Sequence, residues 1–173
     1  MYLSTTKFEG SKSKSIFGLP ELYYTPSTEK ILDIVLDITP TMPEMMEAYF
    51  ITDGSSHYGY YTGMTSLNNI HGTTQVPATI EIKSNNVSEK TEFSYKNIKY
   101  IVYTTPIKVD EHNYAYLELL DVIEEMYDCF EENRVECIKY IVNKLGLAHN
   151  DFEKLIDKYS ARTREVINNV FAQ

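Results

Sequence analysis

Two hydrophobic periods run along this chain, and the places where one gives way to the other outline its elements. Residues 1 to 24 show neither period and read as extended or irregular. After Thr25-Pro26 the segment STEKILDIVLDI is apolar on one side and stops before Thr39-Pro40. That predicts a helix capped by threonine, with proline at its first position. Thr41 and Glu44 then stand at capping-box spacing around Pro43, so a shorter helix follows. AYFIT, residues 48 to 52, reads as a short strand ending at Asp53-Gly54.

A helix over roughly residues 64 to 71 is stopped by Gly72. Alternating residues predict strands at 78–83, 91–95 and 98–104, with Asn85-Asn86 and Lys96-Asn97 in the connections, hence a small antiparallel meander. From about residue 113 the period is helical to the end. Leu117, Leu120, Ile123, Tyr127 and Phe130 form one stripe; Val135, Ile138, Ile141, Val142 and Leu145 form another, closed by Gly146. The last helix opens with Asn150 and Glu153 in capping-box register. The fold class is therefore α+β: a small, mainly antiparallel sheet packed with helices, followed by a C-terminal helical segment. The expected organisation is an α/β core over residues 1–112, with residues 113–173 packed on the same core.

Charge changes the picture. The net charge is -9, and residues 110 to 137 carry ten acids against one base, Arg134. This run disfavours nonspecific nucleic-acid binding, which needs a basic face. It favours a partner with a basic surface, placing Glu118, Asp121, Glu124, Glu125, Asp128, Glu131 and Glu132 as candidate contacts. Such a run is also the usual solvated face of a soluble helix. No apolar window is long enough to span a bilayer. Cys129 and Cys137 lack metal-ligand spacing, and no signal peptide is legible, which points to a reducing cytoplasm. Fifteen tyrosines and no tryptophan suit contact surfaces, so a dimerising module is a further reading.

One constellation has the outline of catalysis. Asp53, followed at a distance by Glu81-x-Lys83 on a strand, resembles a PD-(D/E)xK nuclease. There two carboxylates hold a divalent metal while the lysine orients or activates water. Yet Glu-x-Lys is also what any half-buried strand produces on its polar face, and Thr52 stands where the motif places proline. The four histidines have no i, i+3 or i, i+4 pairing, no GxSxG occurs, and no phosphate loop carries its lysine. No metal or cofactor is expected on the leading reading.

The stretch YYTGMTSLNNIHGTTQVPATIEIK, residues 60 to 83, resembles the central signature of AbiEi-type antitoxins. Thr65-Ser66-Leu67, Ile70-His71-Gly72 and Thr74-Gln75-Val76-Pro77 stand where that family has its S-A-L, h-G-L and T-Q-V-P segments. Phe17-Gly18-Leu19-Pro20 and Leu119-Leu120-Asp121 are fainter echoes. Thr65 departs from the common serine, and Ser66 stands where alanine is frequent. The resemblance places Gly63, Ser66, Leu67, His71, Gly72, Gln75 and Pro77 in the family motif. Each has a physical reading as scaffold: Gly63 a tight turn, Ser66-Leu67 a closely packed helix, Gly72 its stop, Pro77 the approach to a strand. The resemblance implies a non-enzymatic protein that counters a nucleotidyltransferase-like toxin. It also fits a stand-alone inhibitor of a bacterial immune effector, of the anti-CRISPR kind, in the bacterial cytoplasm or a phage-infected host. The family's winged-helix module has no room before residue 15, so its DNA binding is not carried over.

Overall fold

A computed structural model of the protein describes residues 40–131 and 133–172. The expected irregular start, the Phe17–Pro20 lead-in and the helix after Pro26 lie outside the described residues. The chain falls into two compact units, residues 1–44 and 45–173. No division occurs at residue 112: the strands and the later helices belong to one unit, because neither layer buries its apolar side without the other.

Within the described part of the first unit, Thr41 and Glu44 cap each other as expected. The Thr41 backbone N–H donates to Glu44 Oε2 at 2.7 Å, and Glu44 N–H returns a bond to Thr41 Oγ1 at 3.5 Å. They open α1, Met42–Phe50. This helix absorbs most of AYFIT, which is therefore not a strand. Met46 and Phe50, four apart and both buried, give the segment a helical stripe that outranks its strand-like composition. Only Thr52 makes a lone bridge, to His57.

Three strands follow the predicted positions closely, β2 Thr79–Ser84, β3 Thr91–Tyr95 and β4 Ile98–Thr104, and they are preceded by one that the pattern does not predict, β1 Gly59–Tyr61. Their order is β1-β2-β4-β3, and β2 runs parallel to β4, so the expected meander is corrected to a mixed sheet. The other two pairings are antiparallel. Lys96 and Asn97 both have positive φ, the two-residue hairpin turn whose twist suits paired strands, and it fixes β3 to β4. Ile82 and Val102 are wholly buried at the centre, whereas TEFSY, with only partial burial, takes the edge. Alternation then puts Ile80, Ile82, Tyr100 and Val102 on one face and Glu81, Lys83, Ile101 and Tyr103 on the other.

The helix α2, Gly63–Asn69, connects β1 to β2. Its end corrects the expected glycine stop. His71, not Gly72, takes the left-handed conformation (φ 62°). His71 N–H bonds Asn68 O and Gly72 N–H bonds Leu67 O, the paired closure of a Schellman motif. Gly72 is needed for space instead. A Cβ there would lie 2.4 Å from Leu67 Cδ1 and 3.0 Å from the Phe130 ring. Gly72→Ala is expected to cost about 1–2 kcal/mol through overpacking, read by urea denaturation.

The helix α3, Tyr114–Met126, is the spine of the second unit: Leu117, Leu120 and Ile123 are buried as predicted, and Leu119 and Val122 join them. A 3-10 turn at Tyr127–Cys129 precedes α4, Arg134–Leu145. Gly146 closes α4, although Leu145 is exposed and Leu147 takes its place in the core. The expected long last helix is two: α5, His149–Glu153, and α6, Ala161–Phe171. The Asn150–Glu153 box does not form, since Ala148 holds the cap position. Ser160 caps α6 through Thr163 N–H, and that local cap restarts the helix. No helix among the described residues is long and apolar enough to cross a membrane.

Candidate functional site

The polar face of β2 meets α3, and the residues singled out for chemistry gather there. Asp121 projects from α3 with 4% of its surface exposed. Burying a carboxylate is costly unless charge and hydrogen bonds compensate. Both arrive from the sheet and the C-terminal region. Lys83 Nζ lies 2.6 Å from Asp121 Oδ2 and 3.0 Å from Glu125 Oε1. Tyr60 and Thr62 donate hydroxyls to Oδ2 at 3.0 and 3.3 Å, and Tyr159 donates to Oδ1 at 3.1 Å.

The electrostatics follow from this packing. Burial opposes the charge on Lys83, but Asp121 and Glu125 outweigh it and raise the lysine pKa. Burial, reinforced by Asp121, pushes both Tyr60 and Tyr159 well above the ordinary tyrosine range, so they are fixed as donors. Among the described residues, no buried side-chain nitrogen or oxygen lacks a partner. At its buried centre the cluster is closed: Lys83, Tyr60, Thr62 and Tyr159 all direct their donors to Asp121.

Glu81 and Gly63 explain one another in the same way. Gly63 has φ 56°, and a Cβ on it would approach Glu81 Oε2 to 2.3 Å. The Glu81 carboxylate thus lies over the bare turn and accepts from Tyr103 at 3.1 Å. Thr65 Oγ1 stitches α2 to β2, donating to Thr79 O and accepting from Glu81 N–H. Ser66, fully buried, donates to Glu118 Oε1 at 2.6 Å. Burial, with a smaller push from Asp121, raises the Glu118 carboxyl to about 7 against the opposing Ser66 bond.

Asp53, the third member of the nuclease outline, is used elsewhere. Its Oδ1 accepts from Ser55 N–H, Ser55 Oγ and Ser56 N–H in an exposed turn. Those bonds, Ser55's backbone first, hold its carboxyl below the usual range. So Glu81 and Lys83 sit on one strand face, Lys83 engaged with α3, while Asp53 closes its own loop. Among the described residues no group of three or more His, Cys, Asp or Glu is arranged to hold a metal ion.

The acidic run, expected to face a partner, is divided between the fold and the surface: Glu125, Asp128 and Glu131 are exposed, while Glu118, Asp121 and Glu124 are drawn into contacts. Asp121 is buried, and Glu118 is half-buried against Ser66. Glu125 pairs with Lys83, and Asp128 pairs with Arg134 at 2.9 Å. Glu124 accepts from Ser160 N–H, Ser160 Oγ and Thr163 Oγ1, anchoring the start of α6. Glu131 accepts from Thr73 Oγ1 at 2.6 Å and from Thr74 N–H at 3.0 Å. Glu132 lies outside the described residues.

Of the motif residues, Ser66 and Leu67 are core, Gly63 and Gly72 permit close approach, and His71 acts through its backbone. Gln75 is exposed and Pro77 half-buried, in a loop before β2 rather than at its first residue. Sequence reasoning missed Tyr60 and Tyr159. The alternation of β1 puts Tyr60 on the Lys83 side, but nothing near Tyr159 announces that it reaches Asp121. No known protein family, curated protein or solved structure matches the chain.

Proposed function

We propose that this protein acts without catalysis, by contact with another protein, as an AbiEi-like antitoxin or an inhibitor of a bacterial defence effector. The observation that carries the reading is the closure of the Lys83–Asp121 cluster. The lysine that a nuclease would aim at water bridges two carboxylates on α3, 2.6 and 3.0 Å away. A group so held is a poor activator, because freeing it would strand a buried charge. The net charge of -9 favours a partner with a basic surface and repels nucleic acid.

Co-expression with a nucleotidyltransferase-type toxin encoded beside this protein tests the reading. Growth is expected to be restored by the wild type. Continued arrest with both proteins present at normal abundance would count against the antitoxin role. The nuclease alternative on Asp53, Glu81 and Lys83 requires cleavage in magnesium or manganese that is lost in Glu81→Ala. Intact single- and double-stranded substrates are the expected result.

A further inference from the structure

From Gly54 to Ile80 the sequence contains no Asp, Glu, Lys or Arg, although 24% of the whole chain is charged. Apart from Gly54 and Ser55 at its start, the exposed members of this run, Asn69, His71, Thr74, Gln75, Val76 and Ala78, are the end of α2 and the loop that follows it. Depletion of charge is what distinguishes the centre of protein interfaces from ordinary surface. The loop is also held in advance. Asn68 Nδ2 donates to Thr73 O and Gln75 O, at 3.3 and 3.0 Å, while Glu131 grips Thr73 and Thr74 from below. A loop ordered before binding loses little entropy on contact. At its tip Val76 is 85% exposed, an apolar side chain held out into water on a braced support.

We infer that this face is a self-association site, a two-fold contact between two copies of the chain. Its occupant follows from three features. A two-fold contact brings each group close to its own kind, so charged faces meet their own sign, and a net charge of -9 makes most of this surface repel its copy. Amides and hydroxyls both donate and accept, so Asn69, Thr74 and Gln75 complement themselves. A knob and a shallow recess also belong to the same loop: Val76 is the knob, and Asn68, Asn69, His71, Thr73 and Thr74 line an open surface hollow of about 620 Å³. Val76 of each copy seats against the threonine methyls and imidazole in the hollow of the other. A loop tip and one hollow make a smaller contact than the roughly 800 Å² per partner of a standard-size interface, so the dimer is a transient one.

Sedimentation velocity on the full chain, from about 5 to 500 µM, tests this without any other protein. The expected result is a sedimentation coefficient that climbs with concentration toward a dimer, more steeply at high salt, where two -9 copies repel less. Val76→Asp is expected to stay monomeric throughout with an unchanged Tm, since its side chain touches solvent alone in the monomer. A wild type that remains monomeric at the highest concentration overturns the inference. So does a Val76→Asp variant that associates like the wild type, or association that salt abolishes.

Discussion

Lys83→Met loses about 3 kcal/mol of folding stability, because it removes the cation that pairs with a buried carboxylate and leaves the carboxylate in place. Asp121 is 4% exposed, and Lys83 Nζ sits 2.6 Å from it. Tyr60, Thr62 and Tyr159 still donate to Asp121 after the change, but three neutral hydroxyls do not cancel a charge. Methionine fills similar space along the stem, so lost packing contributes little. The loss is read as a lower urea midpoint with an unchanged slope. If Lys83 were instead a catalytic group facing an open site, its removal would leave the midpoint where it was.

Glu118→Gln has the opposite sign and depends on pH. Burial raises the Glu118 carboxyl from 4.5 in the reference state to about 7 in the fold. Below pH 4.5 the group is protonated folded and unfolded alike, and it contributes no pH dependence. Between 4.5 and 7 the unfolded chain releases the proton while the folded one retains it, so stability falls as pH rises. Above 7 the full penalty is present. Residual solvent contact trims it to about 2 kcal/mol. Glutamine keeps the oxygen that accepts from Ser66 and cannot ionise. The variant is therefore expected to match the wild type near pH 4 and exceed it by about 2 kcal/mol at pH 8. Urea denaturation of both proteins across that range gives the difference, and a gap that does not change with pH would contradict the assignment to Glu118.

Elements with a strong local signal were legible from residues alone. The Thr41–Glu44 cap, the Lys96-Asn97 turn and the stripe Leu117, Leu120, Ile123 are each decided by neighbours within a few positions. The readings that failed turn on two competing local patterns or on distant partners. AYFIT has strand composition, but Phe50 answers to Met46 in a helix. TEFSY follows β2 in sequence, which predicts the middle of a meander. The sheet instead seats the more apolar β4 beside β2 and sends the polar strand to the edge.

The candidate site was half legible for the same reason. Glu81-x-Lys83 was visible as a pattern, and its reading as the polar face of a packed strand is the one the geometry fits. The acidic run reads as a solvated stripe, and Asp128 and Glu131 are exposed, but sequence does not reveal that Ser66, Lys83, Ser160 and Thr73 come to meet its carboxylates. Tyr159 lies 38 positions from Asp121 and is invisible to any local pattern. The charge-free stretch around Val76 has a scaffold role at Gly63, Ser66, Leu67 and Gly72, and its exposed tip carries no periodic pattern that sequence could show.

The most direct measurement is a double-mutant cycle on Lys83→Met and Asp121→Asn, with stability read by urea denaturation. Asp121→Asn removes the charge that Lys83 answers, so the double variant is expected to be far more stable than the two separate losses imply, with a coupling of about 2 kcal/mol. Losses that add to within about 0.5 kcal/mol would mean that the lysine does not hold the carboxylate. Lys83 would then be free for chemistry, and the non-catalytic reading would fall.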